Sequence, residues 1–195
     1  MVSEQHADQV FNHAPPSKAE ALLQKLNLRS PDYCSPMGGG TGRGLCPGEI
    51  AAALALGRPA LPRASRFMSY ELARKAMASM AMYVHTGDRQ SFCHVYYFAL
   101  NVIAGQMAAA ATDMKSLAKE VAEHRGAMSA CCVMAIDDVS CPRKYRATTD
   151  REFARIVGLP NHKLWSRNWK SRYQNIRSVI EELSDTAEQQ IKNNV

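Results

Sequence analysis

Aromatic residues are scarce, at 7% of 195 residues, so aliphatic side chains and the ten methionines must supply most of the packing. Long apolar runs are missing as well. Stretches such as 50–56 and 95–100 fall far short of the ~20 residues that cross a bilayer, which excludes a membrane-spanning reading. The first dozen residues are polar and carry no apolar signal-peptide core, so secretion is not expected. The six cysteines include no CxxC pair, and in an unsecreted chain they are expected as reduced thiols rather than a disulfide framework. What remains is enough for a core. The chain is 46% apolar and 22% charged, rich in Ala and Met, and poor in β-branched runs, which favours helices.

Charge is unevenly placed. Residues 142–177 hold ten basic side chains, opposed only by Asp150 and Glu152, whereas the whole chain has a net charge of +6. The rest is therefore close to neutral. A cationic excess confined to one segment is the footprint of a polyanion-binding surface, whereas a merely solvated helix face would carry mixed signs.

The expected fold class is mainly α: a loop-rich N-terminal arm (1–60), a helical body (61–141) and a C-terminal helix-turn-helix (142–195). In the arm, Ser17 and Glu20 have capping-box spacing ahead of Leu22, Leu23, Leu26 and Leu28, which predicts a helix over 17–28. Pro and Gly then punctuate 29–49 as a loop, and 48–56 is a short helix candidate. In the body, Leu72, Ala73, Ala76, Met77 and Met80 recur at helical spacing from Ser69. Gly87 and Asp88 mark a turn, a second helix spans about 91–111, and Thr112 with Asp113 can cap a third that Gly126 is expected to end. The apolar stretch 128–139, with Cys131 and Cys132, has no clear period.

The C-terminal segment carries the most information. Thr149 and Glu152 form a capping box at a helix start, and Gly158 suits the residue just past the helix end, where positive φ is needed. Leu159-Pro160-Asn161 makes a tight turn, and Asn161 can cap the next helix. Two helices joined in this way form the helix-turn-helix arrangement, with the small Ala154 at the point of close helix contact and Leu164 as an inward anchor. Arg167 stands where that motif usually has an apolar residue, so the second helix is expected to be rotated or longer than usual.

That second helix divides into faces. Trp165, Trp169, Ile176, Ile180 and Leu183 make one apolar stripe, which reads as core rather than as a stacking platform for single strands. Lys163, Arg167, Lys170, Gln174 and Arg177 make a second stripe with four cations and no acid. This is the pattern of a recognition helix entering the major groove, where Arg and Lys read guanine and Asn reads adenine. The candidate DNA-binding residues are therefore Asn161, His162, Lys163, Ser166, Arg167, Lys170 and Gln174, with Arg143, Lys144 and Arg146 as a phosphate clamp ahead of the motif.

Trp165-Ser166-Arg167, then Lys170 and Tyr173, followed by a polar-ended helix, resembles the C-terminal part of the Q-type late antitermination proteins of lambdoid phages. More loosely, the Met- and Ala-rich helix pair over 69–111 and the Lys144-Tyr145-Arg146-Ala147 entry come in similar order. The resemblance implies a protein of the host bacterial cytoplasm that binds DNA at a phage late promoter and acts with host RNA polymerase. Antitermination and late-promoter activation are both open, and a host transcription factor is a further candidate partner. Lambda-type members carry a zinc hairpin built on two CxxC pairs, whereas this chain has only Cys131, Cys132 and Cys141 in that region. A helix-turn-helix repressor, and an adaptor that binds polymerase or a host factor without touching DNA, are the rival readings.

Other constellations point nowhere else. Cys131, Cys132, Cys141 and His124 number enough ligands for zinc, but adjacent cysteines on a helix diverge, so buried thiols are expected and no cofactor is implied. The glycine-rich segment 38–44 lacks the Gly-Lys-Ser/Thr ending of a phosphate loop and reads as a flexible linker. Cys93 and His94 are helix neighbours that project apart. Asp137-Asp138 and Glu181-Glu182 read as solvated acids. Nothing in the sequence supports catalysis, so a non-enzymatic role is expected.

Overall fold

The computed structural model describes residues 46–141 and 149–194, which are helices and connecting turns with no strand. The expected helix over 17–28, the glycine-rich segment and the basic residues Arg143, Lys144 and Arg146 lie outside the described residues.

Helix α1 (Pro47–Ala55) opens with proline at its first position, where the missing N–H costs nothing, and Glu49 reaches back to accept the Cys46 N–H at 2.7 Å. Its last carbonyls are met from elsewhere in the chain. Arg74 donates to Leu54 and Ala55, Gln190 to Leu56 and Asn194 to Ala53. A 3-10 turn (Ala64–Arg66) follows. Helix α2 (Tyr70–Thr86) is capped by Ser69 and stops at Gly87, whose φ of 68° lets its N–H close on Tyr83. Asp88 at once caps α3 (Arg89–Ala110), so two residues reverse the chain between two long helices.

Asp113 caps α4 (Met114–Glu123) through the Lys115 and Ser116 N–H groups. The break that follows is at His124, not at Gly126. Gly126 lies in the first turn of α5 (Arg125–Ser140), so its expected role as a terminator is corrected. Helix α5 also accounts for the stretch that lacked a period. Ala127, Met128, Cys131, Cys132, Met134, Ala135, Ile136 and Asp137 are all buried, and a helix covered nearly all round shows no polar face.

Helix α6 (Asp150–Ile156) precedes a helical run made of α7 (His162–Leu164), a π-turn (Trp165–Trp169) and α8 (Lys170–Asn194). Helix α8 packs against α1, α2, α3 and α5. One connected core results, reaching from Ile50 through Met77, Met80, Met107, Met128 and Met134 to Ile180 and Ile191. Five methionines are among its fully buried side chains, as the shortage of aromatics requires. None of the described helices is long and apolar enough to cross a membrane.

Candidate nucleic-acid interface

The Thr149 hydroxyl accepts the Glu152 N–H at 3.3 Å, and the Glu152 carboxylate accepts the Thr149 N–H at 3.0 Å. The capping box thus starts α6 where its spacing indicated. The other end is a Schellman closure. Gly158, at φ 72°, donates to Arg155 at 3.2 Å, while Leu159 donates to Ala154 at 2.8 Å. Leu159 and Ala154 are both buried, so the closure also seats the turn on the core. Asn161 then caps α7, its side-chain oxygen accepting the Leu164 N–H at 3.0 Å.

An aromatic trio joins α6 to the helix after the turn. The Phe153 and Trp165 rings are stacked with centroids 5.1 Å apart, and Tyr173 leans on both at 5.9 and 5.7 Å. Trp165, Trp169, Ile176, Ile180 and Leu183 are all buried, so the apolar stripe is core and the tryptophans offer no open stacking face. Within 165–169 the backbone widens into a π-turn, with the Lys170 N–H reaching the Trp165 carbonyl. Across this turn both tryptophans face inward and Arg167 faces outward, in place of the apolar residue that a regular motif would have there.

Every candidate on the helical run, from Asn161 and His162 through Lys163, Ser166, Arg167 and Lys170 to Gln174, is exposed. They are not equally free. The Asn161 oxygen is held by its cap, which leaves only its amide donors for a base, short of the donor-acceptor pair that adenine needs. Ser166 donates to the Asp150 carboxylate at 2.8 Å, with the His162 carbonyl 3.0 Å away. Lys170 pairs with the other Asp150 oxygen at 3.0 Å, and Arg177 pairs with Glu181 at 2.9 Å. The stripe carries no acid of its own, yet two of its four cations are paired: tertiary structure sets Asp150 beside Lys170, and Glu181 lies one turn from Arg177 on the same helix. Lys163 and Arg167 have no carboxylate partner among the described residues.

Asp150 is held well ionised. Its hydrogen bonds with Lys170, then with Ser166, lower its pKa. Sequence reading passed over Asp150, because an acid at a helix N-terminus is explained by the helix dipole alone. It also passed over Arg151 and Arg155 as site residues. Both are exposed on α6, four apart on one face, and that spacing was the available signal.

Three acids in the two adjacent pairs 137–138 and 181–182 do structural work. Glu182 accepts the Arg63 and Ala64 N–H groups at 3.1 and 3.0 Å, Asp138 accepts the Tyr173 phenol, and Asp137 is buried. The expectation that both acidic pairs are solvated is therefore corrected for Asp137, Asp138 and Glu182, whereas Glu181 stays at the surface and meets only Arg177, one turn away. The His94 ring meets the Ser79 hydroxyl at 3.3 Å, across α2 and α3. Burial lowers the His94 pKa, and Lys75 lowers it further. Cys131 and Cys132 are buried thiols, and among the described residues no three His, Cys, Asp or Glu side chains come together as a metal site.

Comparison with known protein families, with curated proteins and with solved structures found no match to this chain.

Proposed function

We propose that this protein is a duplex-DNA-binding positive regulator of phage late gene transcription, acting with host RNA polymerase in the bacterial cytoplasm. Its means of action is binding rather than catalysis. The observation that carries this reading is the outward cationic row Lys163, Arg167 and Lys170, at the start of a helix whose opposite face is anchored by Trp165 and Trp169. Preceded by a capped helix and a glycine-closed turn, that row has the form of a helix-turn-helix recognition element. The resemblance of 165–173 to Q-type antitermination proteins supplies the regulatory context.

Read-through of a terminator and stimulated initiation are separated by transcription in vitro, on promoter templates with and without a terminator. Antitermination lengthens transcripts past the terminator, activation raises initiation alone, and no change in either overturns the proposal. A repressor would instead bind a palindromic operator as a symmetric dimer and need no polymerase.

The second reading is an adaptor that binds polymerase or a host factor without touching DNA. It is favoured by the pairing of Lys170, Arg172 and Arg177 with Asp150, Glu120 and Glu181, which takes three cations out of the basic segment. Such an adaptor would ignore duplex DNA and hold its partner in high salt, whereas DNA binding weakens steeply as salt rises.

A further inference from the structure

Two donors on the recognition run converge on one anionic group. The Ser166 hydroxyl and the Lys170 ammonium reach separate oxygens of the Asp150 carboxylate, at 2.8 and 3.0 Å. A hydroxyl and an ammonium set to bind two oxygens on one atom form the donor pair that also suits a phosphodiester. The Lys170 and Asp150 side chains remain 47% and 35% exposed, so a phosphate can approach without opening the core.

We propose that Ser166 and Lys170 form a phosphate subsite for the DNA backbone, which the Asp150 carboxylate fills in the free protein. This rests on the DNA-binding reading above. Asp150 is then an internal competitor. A phosphate entering the subsite must displace the carboxylate, and the displaced charge stays close to the polyanion and opposes it. Lys170 has no second carboxylate partner among the described residues. Ser166 has the His162 carbonyl as an alternative acceptor, so its hydroxyl stays satisfied whether or not the subsite is filled. Asp150 thus weakens the grip on DNA in general and leaves discrimination to Lys163 and Arg167, which meet no carboxylate among the described residues.

The test compares the full-length protein with Asp150→Asn, Lys170→Ala and the double variant, binding a short mixed-sequence duplex across a range of salt. Asp150→Asn is expected to bind about threefold to tenfold more tightly at low salt. Its log-log salt slope is expected to steepen by about one, because one more cation neutralises phosphate. In the Lys170→Ala background the added salt slope disappears and most of the gain with it, leaving only the smaller relief of removing a negative charge near the duplex. Unchanged or weaker binding by Asp150→Asn overturns the inference, and so does a gain that survives loss of Lys170 at full size and with the same salt slope. Asp150→Ser, which keeps a short polar group at the helix start, repeats the measurement if the amide perturbs α6. The two readings fail differently. If the wild-type protein does not bind duplex at low salt, the functional reading falls and takes the inference with it. If it binds but Asp150→Asn behaves identically, the inference alone falls.

Discussion

The Arg172 guanidinium lies 2.8 Å from the Glu120 carboxylate and 5.2 Å above the Trp169 ring. One side chain therefore ties α8 to α4 and covers a core tryptophan, which His124 flanks edge-on at 5.5 Å. Beside it, Tyr173 reaches Asp138 on α5. The helix bearing the cationic row is clamped to the helical body by polar contacts as well as by its apolar stripe. A rigid mount of this kind keeps the row in one orientation, as a surface read by a stiff duplex requires.

Arg172→Ala is expected to destabilise the fold by about 1–3 kcal/mol, measured by urea unfolding. The substitution strands a partly buried carboxylate and strips cover from Trp169. A loss within a few tenths of a kcal/mol would place this pair with ordinary surface ion pairs.

Arg167→Ala is expected to weaken duplex binding by about 1–3 kcal/mol if its guanidinium reads a base edge, and Lys163→Ala to reduce the salt slope by about one if its ammonium meets phosphate. Both side chains are exposed, so far-ultraviolet circular dichroism and thermal midpoint should stay as in the parent. Fluorescence anisotropy against duplex DNA checks both. Unaltered affinity in both variants would remove this face from the interface.

Gly158→Ala isolates backbone strain. Nothing lies within 4 Å of the added methyl, but φ is 72°, so about 1–2 kcal/mol should be lost through conformation alone. Chemical denaturation measures the loss. A neutral result would mean that the turn relaxes freely.

Buried ionisable groups set an alkaline limit. Burial pushes Cys131 from an ordinary 9.0 to about 12 and Tyr96 from 10.0 to about 12, and it raises Cys132 as well. Between pH 9 and 12 the unfolded chain therefore loses protons that the folded chain keeps, so stability falls across that window as pH rises. A thiol reagent at pH 8 should modify exposed Cys46 quickly, and Cys131 and Cys132 only on unfolding. Mass spectrometry of the labelled peptides reads this out. Rapid labelling of Cys132 in the folded state would contradict its burial.

Much of the local structure was legible because short-range chemistry decides it. Thr149, Asn161 and Asp113 cap helices as their positions announced, while Ser69 and Asp88, read only as the start of a periodic stretch and as part of a turn, also prove to be caps. Gly87 and Gly158 take the positive φ that their places at helix ends called for. Helix α5 was illegible because its burial on nearly all sides erases the polar face that periodicity needs. Gly126 misled because glycine weakens a helix without having to end it.

The sequence by itself determined where the capped helices begin, which face of the C-terminal run is apolar, and that the opposite face is cationic, since each depends on residues within a turn or two of one another. Only the tertiary structure decided that Lys170 on that face, and Arg172 beside it, would be paired. The partners of Lys170 and Arg172 stand 20 and 52 residues away along the chain, and Glu182 reaches back to Arg63 across 119. Contacts at such separations follow from how α8 packs among α1, α2, α3 and α5, and no local pattern encodes that packing.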